Sequence, residues 1–69
     1  MKLSARNSLP GIVKSIEPGV VNAEVMIEVA QGITIVSMIT LDAIKNLNLR
    51  VGDKAYAVIK ASNVMVAID

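Results

Sequence analysis

Two short polar clusters contain most of the residues in this sequence that could bind a ligand. They are Ser4-Ala5-Arg6-Asn7 near the start and Lys60-Ala61-Ser62-Asn63 towards the end. Each cluster combines a cation, a hydroxyl, an amide and an alanine, whose small side chain lets a ligand approach the backbone. A tetrahedral oxyanion is a dianion with acceptor oxygens and no donor, so it requires cations and hydrogen-bond donors of this kind. An oxyanion site is therefore one interpretation of the two clusters.

The same residues also have ordinary structural interpretations. The first cluster is typical of a frayed terminus, and Ser62-Asn63 is typical of a turn or cap. Lys60 fits a solvated strand end. Thr40 is explained better as a helix N-cap than as a ligand, although its hydroxyl could serve an anion site. Glu24 and Glu28 fit a solvated strand face. Asp42 and Asp53 are explained by the residue preferences of helix starts and turns.

Composition excludes several classes of function. The sequence has no histidine, cysteine, tryptophan or phenylalanine, and Tyr56 is its one aromatic residue. It therefore cannot form metal sites with thiolate or imidazole ligands, and it cannot form disulfides. Catalysis that depends on histidine or cysteine is also excluded. One aromatic residue and a formal net charge of +1 argue against nucleic-acid and membrane partners. Because the sequence shows neither a membrane span nor a signal peptide, we expect a cytoplasmic protein.

The chain is apolar for its size. Its 69 residues include 10 valines and 9 isoleucines, and hydrophobic residues make up 54% of the total. A domain of about 60 residues buries only about 60% of the surface that its unfolded chain exposes. A monomer would leave large apolar patches in water, which soluble monomers avoid. We therefore expect a homo-oligomer whose subunit contacts resemble a divided domain core.

Regularly spaced turn signals divide the sequence into short strands, and apolar and polar residues alternate most clearly over residues 20–29. The predicted strands cover residues 7–17, 20–29, 33–40, 54–60 and 64–68. Leu41, Ile44 and Leu47 recur at helical spacing, so we expect a helix of about two turns that Thr40 caps and Asn48 ends. The sequence thus predicts one all-β domain over residues 1–69. Its expected fold is a five-stranded OB-like barrel with one short helix between strands 3 and 4.

Residues from both polar clusters and from the segments between them resemble a known family. They are Ser4-Ala5-Arg6-Asn7, Gly11, Val13, Gly19-Val20-Val21-Asn22-Ala23-Glu24-Val25, Ile39-Thr40, Leu49, Gly52 and Ile59-Lys60-Ala61-Ser62. This series closely resembles the molbindins, also called Mop or molybdenum-pterin-binding proteins. These are free-standing molybdate-binding domains of the TOBE, OB-like class. The combination of SARN and KAS at the two ends is more specific than either motif alone.

The resemblance implies homohexamers, described as trimers of dimers, that bind molybdate and often tungstate at subunit interfaces. The implied ligands of the main site are Ser4, Ala5 and Arg6 of one subunit and Lys60, Ala61 and Ser62 of its neighbour. Thr40 is a further candidate. The family also has a second class of site near the threefold axis, for which Val20 and Asn22 are candidates.

We therefore expect an intracellular protein that stores or buffers molybdate, and also tungstate, without catalysing a reaction. The oxyanion would be bound through its oxygens, with no direct metal ligands. Molybdopterin is disfavoured, because a pterin would require stacking or an amide-rich pocket. Two alternatives are a structural assembly module without a ligand and an OB-type nucleic-acid-binding domain. No segment has the size of a helix-turn-helix and no P-loop occurs, which separates the chain from molybdate-responsive regulators and transporter ATPases.

Overall fold

Four antiparallel strands form one curled sheet in the computed structural model, which describes residues 1–69. In chain order, the elements are β1 (Asn7–Pro18), β2 (Asn22–Ala30), β3 (Ile33–Thr40), the helix α1 (Leu41–Leu47) and β4 (Lys54–Ile59). A three-residue 3-10 turn, Ala61–Asn63, follows β4. The strand order is β3-β2-β1-β4, so β1 and β2 are central and β3 and β4 form the two edges.

The central strand β2 shows the predicted alternation. Ala23, Val25 and Ile27 are buried, whereas the residues between them lie on the outer face and are only partly covered. Val13 of β1 and Ala57 of β4 complete the core, and no other residue of the 69 is buried. A single chain therefore leaves most of its valine and isoleucine residues at least partly in contact with solvent.

Strand β1 is long enough to pair with two strands in succession. Residues 7–12 pair with β4, and residues 12–18 pair with β2, with a β-bulge just after Val13. Where β1 changes partner, a Cβ atom added to Gly11 would lie 2.5 Å from the backbone oxygen of Glu28. Glycine is therefore required for this close approach of the two strands. The bulge and the glycine together let the sheet curl.

The helix α1 begins and ends as predicted. The Thr40 hydroxyl accepts a hydrogen bond from the Ala43 backbone N–H at 3.0 Å, and Asp42 lies in the first turn, where the helix dipole favours negative charge. Asn48 ends the helix in the left-handed conformation, with a φ of 50°. Ile44 packs against the core. The structure contains no helix that is long and apolar enough to cross a membrane.

The structure contains four strands, and the prediction of a fifth strand over residues 64–68 is wrong for the single chain. The 3-10 turn ends the β4 ladder, and the Val64 N–H donates to the carbonyl oxygen of Ala61 at 3.2 Å. Beyond it, Met65 and Val66 are 93% and 89% exposed. The apolar pattern of this segment indicates a strand but does not specify its partner, and no strand of the same chain pairs with it.

The sheet consequently stays open where a fifth strand would close the predicted barrel. Strands β3 and β4 do not pair with each other, so each keeps one edge free of ladder hydrogen bonds. The second strand is also shorter than predicted and begins at Asn22. The Gly19 N–H donates to the carbonyl oxygen of Asn22 at 2.7 Å, and this tight turn holds Val20 outside the sheet, 96% exposed.

Candidate functional site

The antiparallel pairing of β1 with β4 brings the two polar clusters to one end of the sheet. The last pair of the ladder joins Asn7 to Ile59. Arg6 precedes this pair on one strand and Lys60 follows it on the other, so two residues from opposite ends of the sequence become neighbours. We refer to Ser4–Arg6 and Lys60–Ser62 together as the paired motifs.

The paired motifs are open to solvent in the single chain. All their residues are exposed except Ala5, which is half-buried. Neither Arg6 nor Lys60 forms an ion pair, because the one ion pair of the structure joins Lys14 Nζ to Glu28 Oε1 at 3.6 Å. Two cations without carboxylate partners therefore lie at the same end of the sheet. Such an arrangement favours an anion that carries more than one charge.

The backbone of the second motif follows the 3-10 turn. Lys60 precedes the turn in an extended conformation, and its carbonyl oxygen accepts a hydrogen bond from the Asn63 N–H at 2.8 Å. No side chain caps the start of the turn. The first N–H groups of such a turn have no partner within it. The small side chain of Ala61 leaves these donors accessible to a ligand.

A side-chain hydrogen bond links the two strands that end in the paired motifs. Asn7 Nδ2 donates to the carbonyl oxygen of Ile59 at 3.3 Å, and both residues are half-buried. This contact was not predicted from the sequence, because the amide of Asn7 was grouped with possible ligand groups. The available signal was the order of the strands, which makes the first and fourth strands neighbours in an OB-like sheet.

The remaining predicted residues lie together at the other end of β1. Asn22 pairs with Thr40 across β2 and β3. Val20 and Thr40 both line a cavity of about 300 Å³, and Asp42 and Lys45 contribute opposite charges to it. The Thr40 hydroxyl already accepts the helix-capping hydrogen bond. In one chain, this second group is therefore separate from the paired motifs, because the two lie at opposite ends of β1.

The gap between the free edges of β3 and β4 forms an apolar groove that was not predicted from the sequence. The largest cavity in this gap has a volume of about 490 Å³, and nine of its 12 lining residues are hydrophobic. Val25 and Ile39 line it from the side of β2 and β3, whereas Tyr56 and Val58 line it from β4. Lys54 Nζ lies 5.7 Å from the centre of the Tyr56 ring at the rim. No group of three or more acidic side chains is arranged to hold a metal ion.

Comparisons with known proteins identify close relatives of the chain. The TOBE domain family matches residues 3–66. A probable molybdenum-pterin-binding protein of Haemophilus influenzae is 54% identical over 69 residues, which is 100% of both chains. The structure of a molybdate binding protein from Sporomusa ovata is 38% identical, has a TM-score of 0.91, and covers 99% of this chain and 100% of its own. The cytoplasmic molybdate-binding protein ModG, solved with molybdate bound, is 54% identical with a TM-score of 0.89, over 94% of this chain and 46% of its own.

Proposed function

Because the chain belongs to the TOBE domain family, we propose that it binds molybdate, and that it stores and buffers this ion as a homo-oligomer in the cytoplasm. The resemblance to this family that the sequence predicted is confirmed by the family match and by the 54% identical relative. The relatives carry the names of binding proteins, which supports binding without catalysis. ModG, one of these relatives, is described as cytoplasmic.

The observation that carries the proposal is the meeting of the paired motifs at one end of the β1–β4 ladder. Molybdate is a tetrahedral dianion, and Arg6 and Lys60 supply two positive charges without carboxylate partners. The hydroxyls of Ser4 and Ser62 and the backbone donors at Ala61 supply directed hydrogen bonds. Tungstate has the same shape and charge, so the proposal includes it. Sulfate is smaller, and a rigid pocket fitted to molybdate would leave long and weak hydrogen bonds to it.

The site is proposed to be completed at a subunit interface. A solvent-exposed ion pair contributes little free energy, whereas a desolvated and hydrogen-bonded pair contributes much more. Because the paired motifs are exposed in one chain, tight binding requires that another surface cover them. We propose that this cover is a neighbouring subunit whose own paired motifs meet those of the first chain, so that Ser4–Arg6 of each subunit faces Lys60–Ser62 of the other, as the family resemblance implies.

The apolar groove supports self-association. It lies between two free strand edges, and the chain also carries an exposed apolar segment, residues 64–68, for which it has no partner. We propose that residues 64–68 of a second copy occupy the groove as an added strand. This pairing satisfies the edges of β3 and β4 and buries side chains such as Val66 and Ile68. A homohexamer built from such pairs is the assembly that we propose.

Native mass spectrometry tests the assembly and the ligand together. We expect a homohexamer that takes up several molybdate or tungstate ions. The same hexamer should take up no sulfate, even when sulfate is in excess. A hexamer that ignores all three ions would contradict the binding function while leaving the assembly intact. A monomer that binds molybdate would contradict the interface site.

Titration calorimetry of two matched variants tests the residues. Replacing Arg6 with alanine removes a charge from the proposed site, whereas Arg50→Ala removes the same charge from an exposed turn. For a buried site, we expect Arg6→Ala to weaken molybdate binding by about 2–5 kcal/mol, which is roughly 30-fold or more. Arg50→Ala should leave the affinity within about twofold of that of the unmodified protein, since an exposed distant charge is screened. Equal effects of the two variants would refute the assignment of Arg6.

A further inference from the structure

The paired motifs begin where the β1–β4 ladder ends, and this position makes their geometry vulnerable. Strand ends fray, and within one chain β4 is an edge strand that is paired with β1 alone. A rigid oxyanion site needs its donors fixed in direction before the ion arrives, since ordering them on binding would reduce the affinity. Each chain must therefore hold the ends of both of its motifs in place, because each motif contributes to a site that a neighbouring subunit completes.

The side chain of Asn7 makes the connection that fixes them. Its Nδ2 donates to the carbonyl oxygen of Ile59 at 3.3 Å. That carbonyl and the N–H of Lys60 belong to one planar peptide group, so holding the oxygen also fixes the direction of the Lys60 N–H. The backbone nitrogen of Asn7 belongs in the same way to the peptide group that carries the carbonyl of Arg6. One residue thus connects the two peptide groups that lead into the paired motifs.

This hydrogen bond has a different place in the fold from the other side-chain hydrogen bonds of the chain. Those of Thr40 and Asp53 are local, each made to a backbone N–H three residues away, and they cap a helix and a turn. The hydrogen bond of Asn7 spans 52 residues of sequence and is partly shielded from water. It joins two strands at their ends, where no further ladder pair follows.

We propose that Asn7 is a positioning residue for the oxyanion. Asn7 holds the paired motifs in the geometry that binds the ion and does not contact the ion itself. This inference rests on the proposed function. A supporting residue that orients the direct ligands of a bound metal ion typically changes the affinity by about 10–100-fold when it is lost, and we apply the same range to the oxyanion. Asn7 acts here through the backbone and not through a ligand side chain, so we expect an effect near the lower end of that range.

The test compares variants of the whole chain by molybdate titration calorimetry, native mass spectrometry and thermal unfolding without ligand. Asn7→Leu keeps the approximate size of the side chain but removes the donor, and Asn7→Ser leaves a hydroxyl that is too short to reach Ile59. We expect both to weaken molybdate binding about 10-fold while the oligomer and its melting temperature stay nearly unchanged. Asn7→Gln retains an amide donor and should recover part of the affinity. The matched control is Asn46→Leu, the same exchange at an exposed helix position, which should bind molybdate as the unmodified protein does.

Three results would overturn the inference. The first is unchanged affinity in both Asn7→Leu and Asn7→Ser. The second is that both variants fail to assemble, or melt at a lower temperature, to an extent that accounts for the loss of binding. The role of Asn7 would then be structural. The third is an equal loss in Asn7→Gln, which would show that the donor is not what matters. If the unmodified protein fails to bind molybdate, it is the proposed function that fails, and the wild-type titration separates that outcome from the other three.

Discussion

Replacing Gly11 with alanine tests the close approach that lets β1 pair with two strands. The added Cβ would lie 2.5 Å from the Glu28 backbone oxygen and 2.8 Å from Cγ2 of Ile27, whereas ordinary contacts begin at 3.4 Å. Relieving the first contact requires a displacement of about 0.9 Å, the difference between 3.4 and 2.5 Å. The oxygen belongs to backbone that the β1–β2 ladder holds, and Gly11 itself pairs with Ala55. Any displacement therefore strains one of the two ladders.

The expected cost follows from these contacts. Overpacking of this kind costs about 1–3 kcal/mol, and weakening one ladder hydrogen bond adds about 0.5–1.5 kcal/mol. Alanine also restricts the unfolded chain, which returns about 0.4–1 kcal/mol. We expect Gly11→Ala to lower the free energy of unfolding by about 2–3 kcal/mol, which corresponds to a fall in melting temperature of about 10–20 °C.

Thermal and urea unfolding at one fixed protein concentration provide the measurement, because the stability of the proposed oligomer would depend on concentration. The matched control is Gly32→Ala. Gly32 has a φ of +76° but no atom within 4 Å of an added Cβ, so its substitution costs only the left-handed backbone penalty, about 1–2 kcal/mol. A Gly11→Ala protein within about 0.5 kcal/mol of the unmodified protein would refute the close approach as the reason for glycine.

Three other substitutions test separate features. Thr40→Ala removes the helix cap and should lower the free energy of unfolding by about 0.5–2 kcal/mol in a urea titration; no change would show that the cap contributes nothing. Lys14→Ala should change it by less than about 1 kcal/mol, because the side chains of its ion pair are 53% and 35% exposed. Val66→Asp should dissociate the oligomer in native mass spectrometry, whereas Val51→Asp at an exposed turn should not; an intact Val66→Asp oligomer would contradict the proposed added strand.

Local pattern predicted those parts of the fold that depend on neighbouring residues in sequence. The alternation over β2, the break between the second and third strands, where Gly32 has a φ of 76°, and the capped helix from Thr40 to Asn48 follow from side-chain periodicity, backbone sterics and capping. The same pattern over residues 64–68 predicted a strand that the single chain does not form. Periodicity describes the two faces of a segment, whereas pairing requires a free edge within reach.

The candidate site was predictable to a similar extent. The residue types around Arg6 and Lys60 indicated an oxyanion, and the strand order accounts for their meeting at one end of the sheet. The hydrogen bond of Asn7 to Ile59 could not be predicted from composition, since it depends on the register of two distant strands. The groove between β3 and β4 was missed because it exists only when the fifth strand is absent from the same chain.

The short 3-10 turn at Ala61–Asn63 has a consequence for the proposed exchange of residues 64–68 between copies of the chain. Each copy has one groove and one segment to donate, so two copies that exchange segments form a closed pair. A series in which each copy donates its segment to the next copy would grow into an open-ended fibre unless it closed into a ring. Three residues allow little freedom of direction between β4 and the donated segment, so the turn selects one of these outcomes. Insertions at this turn should therefore weaken the preference for one direction, and would also displace Ala61 and Ser62 from the proposed oxyanion site.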